Sequence, residues 1–222
     1  MQEPELTIAY PIHEAFELNK QKLDKYGVKQ VAITLIDTGE PYEQEIGYFL
    51  LEWLDGKEYI TVRTSGSTGK PKVLKVLKKH MVNSAKATGD FFKLDAQTHA
   101  LLCLPVNYIA GKMMLVRAMI LGWKIDCIPP KSNPLDTIYK HYDFCAMIPL
   151  QLDNSINRLH LIKKLIVGGG AIRERLKALV QSCDTKIYET YGMTETVSHI
   201  AARRINGKKK RKKTCFSKHY PI

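Results

Sequence analysis

The sequence predicts an α/β fold with a largely parallel sheet flanked by helices. Two observations lead to this prediction. Short apolar runs rich in β-branched and aromatic residues alternate along the chain with longer runs of helical periodicity, as a parallel sheet with crossover helices requires. The chain also has 222 residues, of which 45% are hydrophobic, so it can bury the core of one large domain or two small ones.

The predicted elements follow one another in order along the chain. Strands are predicted for the short β-rich runs, at residues 31–36, 59–62, 100–104, 124–128, 144–148, 165–167 and 186–188. Helices are predicted where apolar residues recur three or four positions apart, at residues 42–54, 80–92, 109–121 and 172–181. Residues 129–134, with three prolines, form the clearest internal loop.

Cysteine usage and hydropathy favour a cytoplasmic protein. The five cysteines show no C-x-x-C spacing, which argues against a zinc site and against a disulfide framework. No apolar run approaches the roughly 18 to 20 residues of a membrane span. The N-terminus, with Glu3 and Glu5, lacks the pattern of a signal peptide. Cytoplasmic localisation without a membrane span is therefore expected, and the oligomeric state stays open.

The segment from Thr64 to Lys72 crowds hydroxyls, glycines and lysines into one short loop. Glycines let the backbone turn successive N–H groups toward an anion, and hydroxyls and a lysine add further donors. The candidate phosphate-binding residues are Thr64, Ser65, Gly66, Ser67, Thr68, Gly69 and Lys72. Their spacing does not fit G-x-x-x-x-G-K-[ST], which disfavours a P-loop kinase or GTPase.

A flexible linker is the alternative interpretation of such a cluster. However, β-rich runs at residues 58–63 and 73–77 flank it on both sides. The loop is therefore predicted to join two strands, and a loop held at both ends is a better ligand site than a tether.

Residues 191–196, Tyr-Gly-Met-Thr-Glu-Thr, form a second candidate nucleotide site. Tyr191 offers a flat π-face on which an adenine could stack, and Gly192 keeps the backbone low beside it. Thr194 supplies a hydroxyl for a phosphate oxygen, and Glu195 supplies a carboxylate for Mg²⁺, which prefers oxygen ligands. Taken alone, the segment is more typical of surface residues at the end of a strand.

Both segments resemble the ATP signatures of the adenylate-forming superfamily, which includes acyl-CoA synthetases, luciferases and nonribosomal peptide adenylation domains. Between them, Gly168, Gly169 and Gly170 resemble the glycine turn that lies against the adenine ring in these enzymes. Three matches in the expected order are far more specific than any one alone. The resemblance implies that residues 1–202 are the truncated large N-terminal domain of an adenylate-forming enzyme.

The resemblance also implies the chemistry. A carboxylate would attack the α-phosphate of Mg-ATP to give an acyl-adenylate and pyrophosphate, and a thiol, often that of coenzyme A, would then take the acyl group. Residues 64–68 and Lys72 would hold the β- and γ-phosphates, Thr194 would touch the α-phosphate, and Glu195 would hold Mg²⁺. Lys72, Thr194 and Glu195 are thus the candidate catalytic residues, and Met193 joins the nucleotide-binding set.

Residues 104–111 resemble the acyl-pocket motif of this superfamily, with Tyr108 at the position of its histidine. Residues 107–114 look most like the o-succinylbenzoate–CoA ligases of menaquinone biosynthesis. Such a substrate has a second, non-reacting carboxylate, so a buried cation or donor should meet it. The candidate substrate residues are Tyr108, Gly111, Lys112, Ser198 and His199. A solvated helix position for the lysine and an ordinary core or surface position for His199 are the alternatives.

Residues 203–222 differ in composition from the rest of the chain. They contain nine Lys or Arg and no acidic residue, and without them the net charge of +12 falls to +3. This segment is predicted to be a basic, disordered tail, non-native after about Asn206 through truncation or a change of reading frame. The family's C-terminal domain, with its catalytic lysine, is expected to be absent, so turnover is expected to be slow or absent.

Three classes of function stay open at this stage. The first is an ATP-dependent carboxylate–CoA ligase, with ATP, Mg²⁺, coenzyme A and a small carboxylic acid as its ligands. The second is a noncatalytic nucleotide- or acyl-binding module. The third, nucleic-acid binding through the basic tail, ranks last because no recognisable nucleic-acid motif or interleaved aromatics accompany the basic block.

Overall fold

The computed structural model describes residues 10–64, 72–207 and 213–215. The strands in this part of the chain are β1 (Glu17–Leu18), β2 (Gln21–Lys22), β3 (Tyr59–Thr64), β4 (Lys72–Leu77), β5 (His99–Leu102), β6 (Lys124–Cys127), β7 (Tyr142–Met147), β8 (Ile162–Val167), β9 (Lys186–Gly192), β10 (His199–Arg204) and β11 (Lys213–Cys215). The α-helices are α1 (Lys25–Thr38), α2 (Pro41–Leu54), α3 (Lys78–Phe92), α4 (Ile109–Leu121), α5 (Pro149–Asn154) and α6 (Glu174–Leu179). Two 3₁₀ turns cover Ile156–Leu161 and Val180–Ser182. None of the described helices is long and apolar enough to cross a membrane.

Nine strands form one sheet in the order β11-β10-β9-β8-β7-β5-β6-β1-β2. Its six central strands, from β9 to β1, pair in parallel, and antiparallel pairs occur at the two ends. The predicted α/β fold with a largely parallel sheet flanked by helices is thus confirmed. The parallel arrangement matters for function because it brings the carboxyl ends of β5, β7, β8 and β9 to one edge.

The core lies on both faces of this sheet. Side chains alternate along β5 and β7, so that Ala100 and Phe144 pack in one cluster with α1 to α4. Their neighbours Leu101 and Cys145 pack in a second cluster with α5 and α6. Burial on both faces explains why these strands read as continuous apolar runs in the sequence.

Strands β3 and β4 form a separate antiparallel hairpin in which Thr64 pairs with Lys72. This confirms the prediction that the Ser/Thr/Gly-rich loop joins two strands. Residues 65–71 themselves lie outside the described part of the chain.

The strand predicted at residues 31–36 is wrong, because these residues belong to helix α1. Buried or half-buried positions recur three or four residues apart, at Val28, Val31, Ala32 and Leu35, instead of alternating as in a strand. Asp24 caps the helix, since its carboxylate accepts a hydrogen bond of 2.8 Å from the Gly27 N–H. Tertiary packing against α2 has therefore overridden the β preference of this Val/Ile/Thr-rich run.

The predicted boundary at residue 203 is too early. Strand β10 continues to Arg204, and Arg203 forms an ion pair with Glu189 of β9. Asn206 is buried, and its side-chain amide donates to the backbone carbonyls of Thr185 at 2.7 Å and Cys183 at 3.1 Å. The fold thus includes residues 203–206. Lys213–Cys215, within the segment predicted to be disordered, pairs with β10 as strand β11, whereas the basic residues 208–212 lie outside the described residues.

An ion pair between a buried lysine and a half-buried aspartate ties the start of α3 to the end of α2. The Lys78 side chain is fully buried, and its Nζ lies 2.7 Å from Asp55 Oδ1 and 3.0 Å from the Asp55 carbonyl oxygen. Burial by itself would raise the pKa of Asp55, but the hydrogen bond from Lys78 and the Lys57 N–H outweigh it and lower the pKa below its usual 3.8. Because folding lowers the pKa of Asp55, its ionised carboxylate stabilises the folded state. This stabilisation is fully present above pH 3.8 and is lost as the pH falls through the folded-state pKa.

We expect Asp55→Asn to lower the free energy of unfolding at pH 7 by about 1–3 kcal/mol, because the buried ammonium loses its counter-charge. Urea unfolding measures this loss. The difference in unfolding free energy between variant and wild type should disappear as the pH falls below the usual range of carboxyl pKa values. Asp37→Asn removes an exposed charge on α1 and serves as the control. Equal stability of wild type and Asp55→Asn at pH 7 would contradict the assignment.

Candidate functional site

A cavity of about 420 Å³ opens at the carboxyl edge of the parallel strands. Its wall includes Leu104 beyond β5, Ile148 beyond β7, Gly168 beyond β8 and Gly192 at the end of β9. Open α/β sheets bind their ligands at this edge, and the volume is typical of a small-molecule site.

The glycine turn forms one wall of the cavity. Gly168 follows β8, and a Cβ placed on it would lie 2.7 Å from Thr190 Oγ1, so a larger residue would displace that threonine. Gly169 has φ +77°, a conformation that favours glycine. The Thr190 hydroxyl donates to the Val167 carbonyl oxygen at 3.1 Å, which joins the turn to β9. Gly170 is not part of the cavity wall.

The turn between β9 and β10 supplies Met193 and Thr194 to the cavity wall. Thr196 holds this turn, because its hydroxyl accepts from the Met193 N–H at 2.9 Å and donates to the Ser198 carbonyl oxygen at 2.9 Å. Val197 has φ +68°, which is strained for a β-branched residue, and its buried side chain lines the cavity. Backbone strain of this kind is concentrated at functional sites.

Tyr191 and Glu195 flank the cavity without lining it. The Tyr191 side chain is 64% exposed, and Glu195 is also exposed. No group of three His, Cys, Asp or Glu side chains among the described residues could hold a metal ion. One carboxylate nevertheless fits Mg²⁺ that is bound chiefly by substrate phosphates and water, so Glu195 is compatible with the predicted role.

Arg117, which the sequence analysis missed, lies in the cavity wall. It is 2% exposed, its Nη2 donates to Ser198 Oγ at 2.7 Å, and its Nε donates to Thr88 Oγ1 at 3.3 Å. A guanidinium stays charged even when buried and presents donors in a planar fork. The only signal for it in the sequence was its charge in a largely apolar helix that also carries Lys112. Thr190 was also missed, although it precedes the second nucleotide motif directly.

Two of the predicted substrate residues, Ser198 and His199, line the cavity beside Arg117. The His199 ring is 7% exposed, and its Nδ1 lies 3.3 Å from Ser198 Oγ. Burial, together with the Arg117 charge, lowers the pKa of His199 to about 3. The imidazole is therefore neutral at neutral pH.

The remaining three predicted substrate residues differ in position. Tyr108 lines the cavity and is 51% exposed. Gly111 is a packing residue, because a Cβ on it would lie 2.2 Å from the Pro105 carbonyl oxygen. Lys112 does not line the cavity. It is buried against α2, with its Nζ 3.5 Å from Glu52 Oε2 and 4.4 Å from the centroid of the Phe49 ring.

The buried position of Lys112 also rules out the solvated helix position. Burial lowers its pKa, and the carboxylates of Glu52 and Glu45 partly offset this effect. The predicted phosphate-binding residues Ser65, Gly66, Ser67, Thr68 and Gly69 lie outside the described part of the chain.

A comparison with protein families matches residues 59–217 to the AMP-binding enzyme family. Among curated relatives, a 2-succinylbenzoate–CoA ligase of Bacillus cereus is 30% identical over 162 residues, which are 65% of this chain and 32% of that protein. A 2-succinylbenzoate–CoA ligase of Staphylococcus aureus is 26% identical over 144 residues, with 62% and 29% covered. The chain thus spans about a third of the length of these relatives.

Solved structures agree on the fold. An acyl-CoA synthetase (AMP-forming)/AMP-acid ligase II-like protein from Dyadobacter fermentans superposes with a TM-score of 0.73 at 37% identity, covering 81% of this chain and 53% of that one. O-succinylbenzoate coenzyme A synthetase from Bacillus subtilis, in complex with ATP and magnesium ion, superposes with a TM-score of 0.59 at 20% identity, covering 84% and 46%. With a family match over more than half of its length and this fold, the chain belongs to the AMP-binding enzyme family.

Proposed function

We propose that this chain forms the nucleotide- and acid-binding part of an ATP-dependent carboxylate–CoA ligase that acts through an acyl-adenylate. Its acid is an aromatic dicarboxylate of the 2-succinylbenzoate class. The observation that carries the proposal is one cavity whose wall combines two chemically different groups. A glycine turn with the Thr194 hydroxyl is the first, proposed as the nucleotide end, and the buried Arg117 guanidinium is the second, proposed as the acid end.

The first end suits a nucleotide. The turn at Gly168 and Gly169 presents backbone without side chains, so a flat base can approach it closely. Thr194 offers a hydroxyl to the α-phosphate, and Glu195 lies next to it in the chain as an exposed carboxylate for Mg²⁺. The hairpin between β3 and β4 carries the residues proposed for the outer phosphates, among them Thr64 and Lys72.

The other end suits an acid with two carboxylates. Apolar side chains line the same cavity, including Met113, Met147 and Ile166, which suit an aromatic ring. The Arg117 guanidinium lies beside them and can pair with a carboxylate that does not react. Both relatives named above are 2-succinylbenzoate–CoA ligases, and 2-succinylbenzoate has this pair of carboxylates.

The chain's contribution to the reaction is positioning and charge stabilisation. The fixed carboxylate on Arg117 leaves the other carboxylate of the acid free to point toward the α-phosphate. Attack forms the bond from the carboxylate oxygen to the α-phosphorus and breaks the bond to the leaving pyrophosphate. Glu195 would hold Mg²⁺, whose charge would stabilise the negative charge that develops on the phosphate oxygens.

Calorimetry and a pyrophosphate-release assay on the whole chain test this function. We expect Mg-ATP to bind, and 2-succinylbenzoate to bind at least about tenfold more tightly than 4-oxo-4-phenylbutanoate, which lacks one carboxylate, because one charge-assisted interaction is worth about 1.4 kcal/mol or more. Pyrophosphate should appear only when acid and ATP are both present. Binding without acid-dependent pyrophosphate release would identify a noncatalytic module, and equal binding of the two acids would remove the dicarboxylate assignment.

The variant Glu195→Gln separates the metal role from the nucleotide role. It should weaken binding of Mg-ATP by about tenfold or more, since an amide is a poor substitute for a carboxylate on Mg²⁺, and leave the metal-free binding of AMP unchanged. Glu174→Gln, an exposed carboxylate on α6, is the matched control. Unchanged Mg-ATP affinity in Glu195→Gln would eliminate the metal assignment.

A further inference from the structure

The Arg117 guanidinium does not lie alone in the cavity wall. It belongs to a polar group of four side chains from three elements: Thr88 on α3, Arg117 on α4, and Ser198 and His199 at the start of β10. Thr88 and His199 are both buried, and Phe92 packs edge-on against the imidazole with the ring centroids 6.2 Å apart. A polar group this deeply buried is specified by its hydrogen bonds.

We propose that His199 is a positioning residue that makes the Ser198 hydroxyl a hydrogen-bond donor into the cavity, and thereby sets the preference for an acid with a second carboxylate. The inference rests on the proposed function, which it deepens by naming a residue that acts through Ser198 rather than by touching the acid.

The direction of the Ser198 proton depends on which groups donate to the serine oxygen. A serine hydroxyl has one proton and two acceptor positions. The Arg117 Nη2–H fills one acceptor position at 2.7 Å, because a guanidinium can only donate. If His199 carries its proton on Nδ1, the ring donates to the second acceptor position at 3.3 Å. With both acceptor positions of Ser198 Oγ filled by donors, neither Arg117 nor His199 can accept the hydroxyl proton. The proton therefore points toward the cavity, which Ser198 lines.

The opposite tautomer would give the opposite result. With its proton on Nε2, His199 would accept the serine proton at Nδ1, and a lone pair of Ser198 would face the cavity. A lone pair repels a carboxylate, whereas an O–H beside a guanidinium binds one. The neutral state of the ring, favoured by its burial, also avoids a second cation next to Arg117.

Two substitutions test the role of His199. His199→Phe keeps an aromatic ring against Phe92 but removes the donor, and His199→Asn restores an N–H donor at the position of Nδ1. We expect His199→Phe to weaken binding of 2-succinylbenzoate on the order of tenfold and to change binding of 4-oxo-4-phenylbutanoate by less than about twofold. His199→Asn should recover most of the preference. His160→Phe, an exposed histidine outside the cavity, is the control.

Nitrogen NMR of the ¹⁵N-histidine-labelled chain provides a second measurement that does not depend on the acid. The His199 signal is assigned by its loss in His199→Phe, and its shifts should show a protonated Nδ1 and an unprotonated Nε2. A proton on Nε2 would overturn the inference. The inference would also be overturned if the wild type prefers the dicarboxylate and His199→Phe has the same preference. The proposed function would stand in that case. A wild type without any preference would instead refute the dicarboxylate function itself.

Discussion

Replacing Arg117 by methionine is expected to weaken binding of 2-succinylbenzoate by about 2–4 kcal/mol, or about 30- to 1,000-fold in Kd. The reason is the position of the guanidinium. It is 2% exposed and lies in the wall of a largely apolar cavity, where a carboxylate loses its water and meets a fixed charge in return. Without that charge, the second carboxylate would be desolvated with no compensation. Calorimetric titration with the acid measures the effect.

The control for this prediction is the acid that lacks the second carboxylate. Binding of 4-oxo-4-phenylbutanoate should be nearly unchanged in Arg117→Met, because its single carboxylate points to the nucleotide end. Arg117→Lys keeps the charge but loses the planar fork, so it should recover only part of the affinity. An equal loss for both acids would show that Arg117 supports the cavity as a whole and does not select the substrate.

Stability distinguishes a binding effect from unfolding. A buried charged group is costly to desolvate, and an apolar residue of similar length often leaves the fold equally or more stable. We therefore expect Arg117→Met to unfold in urea at a concentration no lower than the wild type. The weaker binding would then arise at the site and not through loss of the fold.

The parallel sheet was predictable because its central strands are buried on both faces and so read as apolar runs between helical ones. The strand predicted at residues 31–36 failed because a Val/Ile/Thr-rich run has the local preference of a strand, while its neighbours at Val28 and Leu35 complete a helical face against α2. The short strand β1 depends on its parallel partner β6, which is far away in the sequence, and no local pattern shows such a partner.

The candidate site, like the fold, was predictable only in part. The positions of Gly168, Gly192 and Thr194 in the cavity wall were predictable, because glycine and hydroxyl residues at the ends of parallel strands are typical of such a wall. The position of Lys112 was not predictable, because residues only a few positions apart in a helix lie on different sides of it. Lys112 contacts α2, while Arg117, five residues later, lines the cavity. The sequence shows that both residues are charged and lie in a largely apolar helix, but only the fold shows which of them lines the cavity.

Replacing Gly192 by alanine is expected to cost about 1–3 kcal/mol of folding free energy, as overpacking does, and to weaken ligand binding further. A Cβ at this position would lie 2.2 Å from the Ser198 carbonyl oxygen and 2.6 Å from His199 Cα. These are backbone atoms of the paired strand, so no side chain can rotate to make room. Strands β9 and β10 would have to separate at the pair formed by Gly192 and His199.

Such a separation would move both ends of the candidate site together. Thr194 follows Gly192 in the turn, and Ser198 is hydrogen-bonded to Arg117, so affinity for Mg-ATP and for the dicarboxylate should fall in the same variant. Gly170→Ala is the matched control, because its Cβ would lie 3.7 Å from the nearest atom, an ordinary contact with Pro149. It should unfold in urea like the wild type. If Gly192→Ala kept wild-type stability and lost affinity for only one of the two ligands, the turn would not couple the nucleotide end to the acid end.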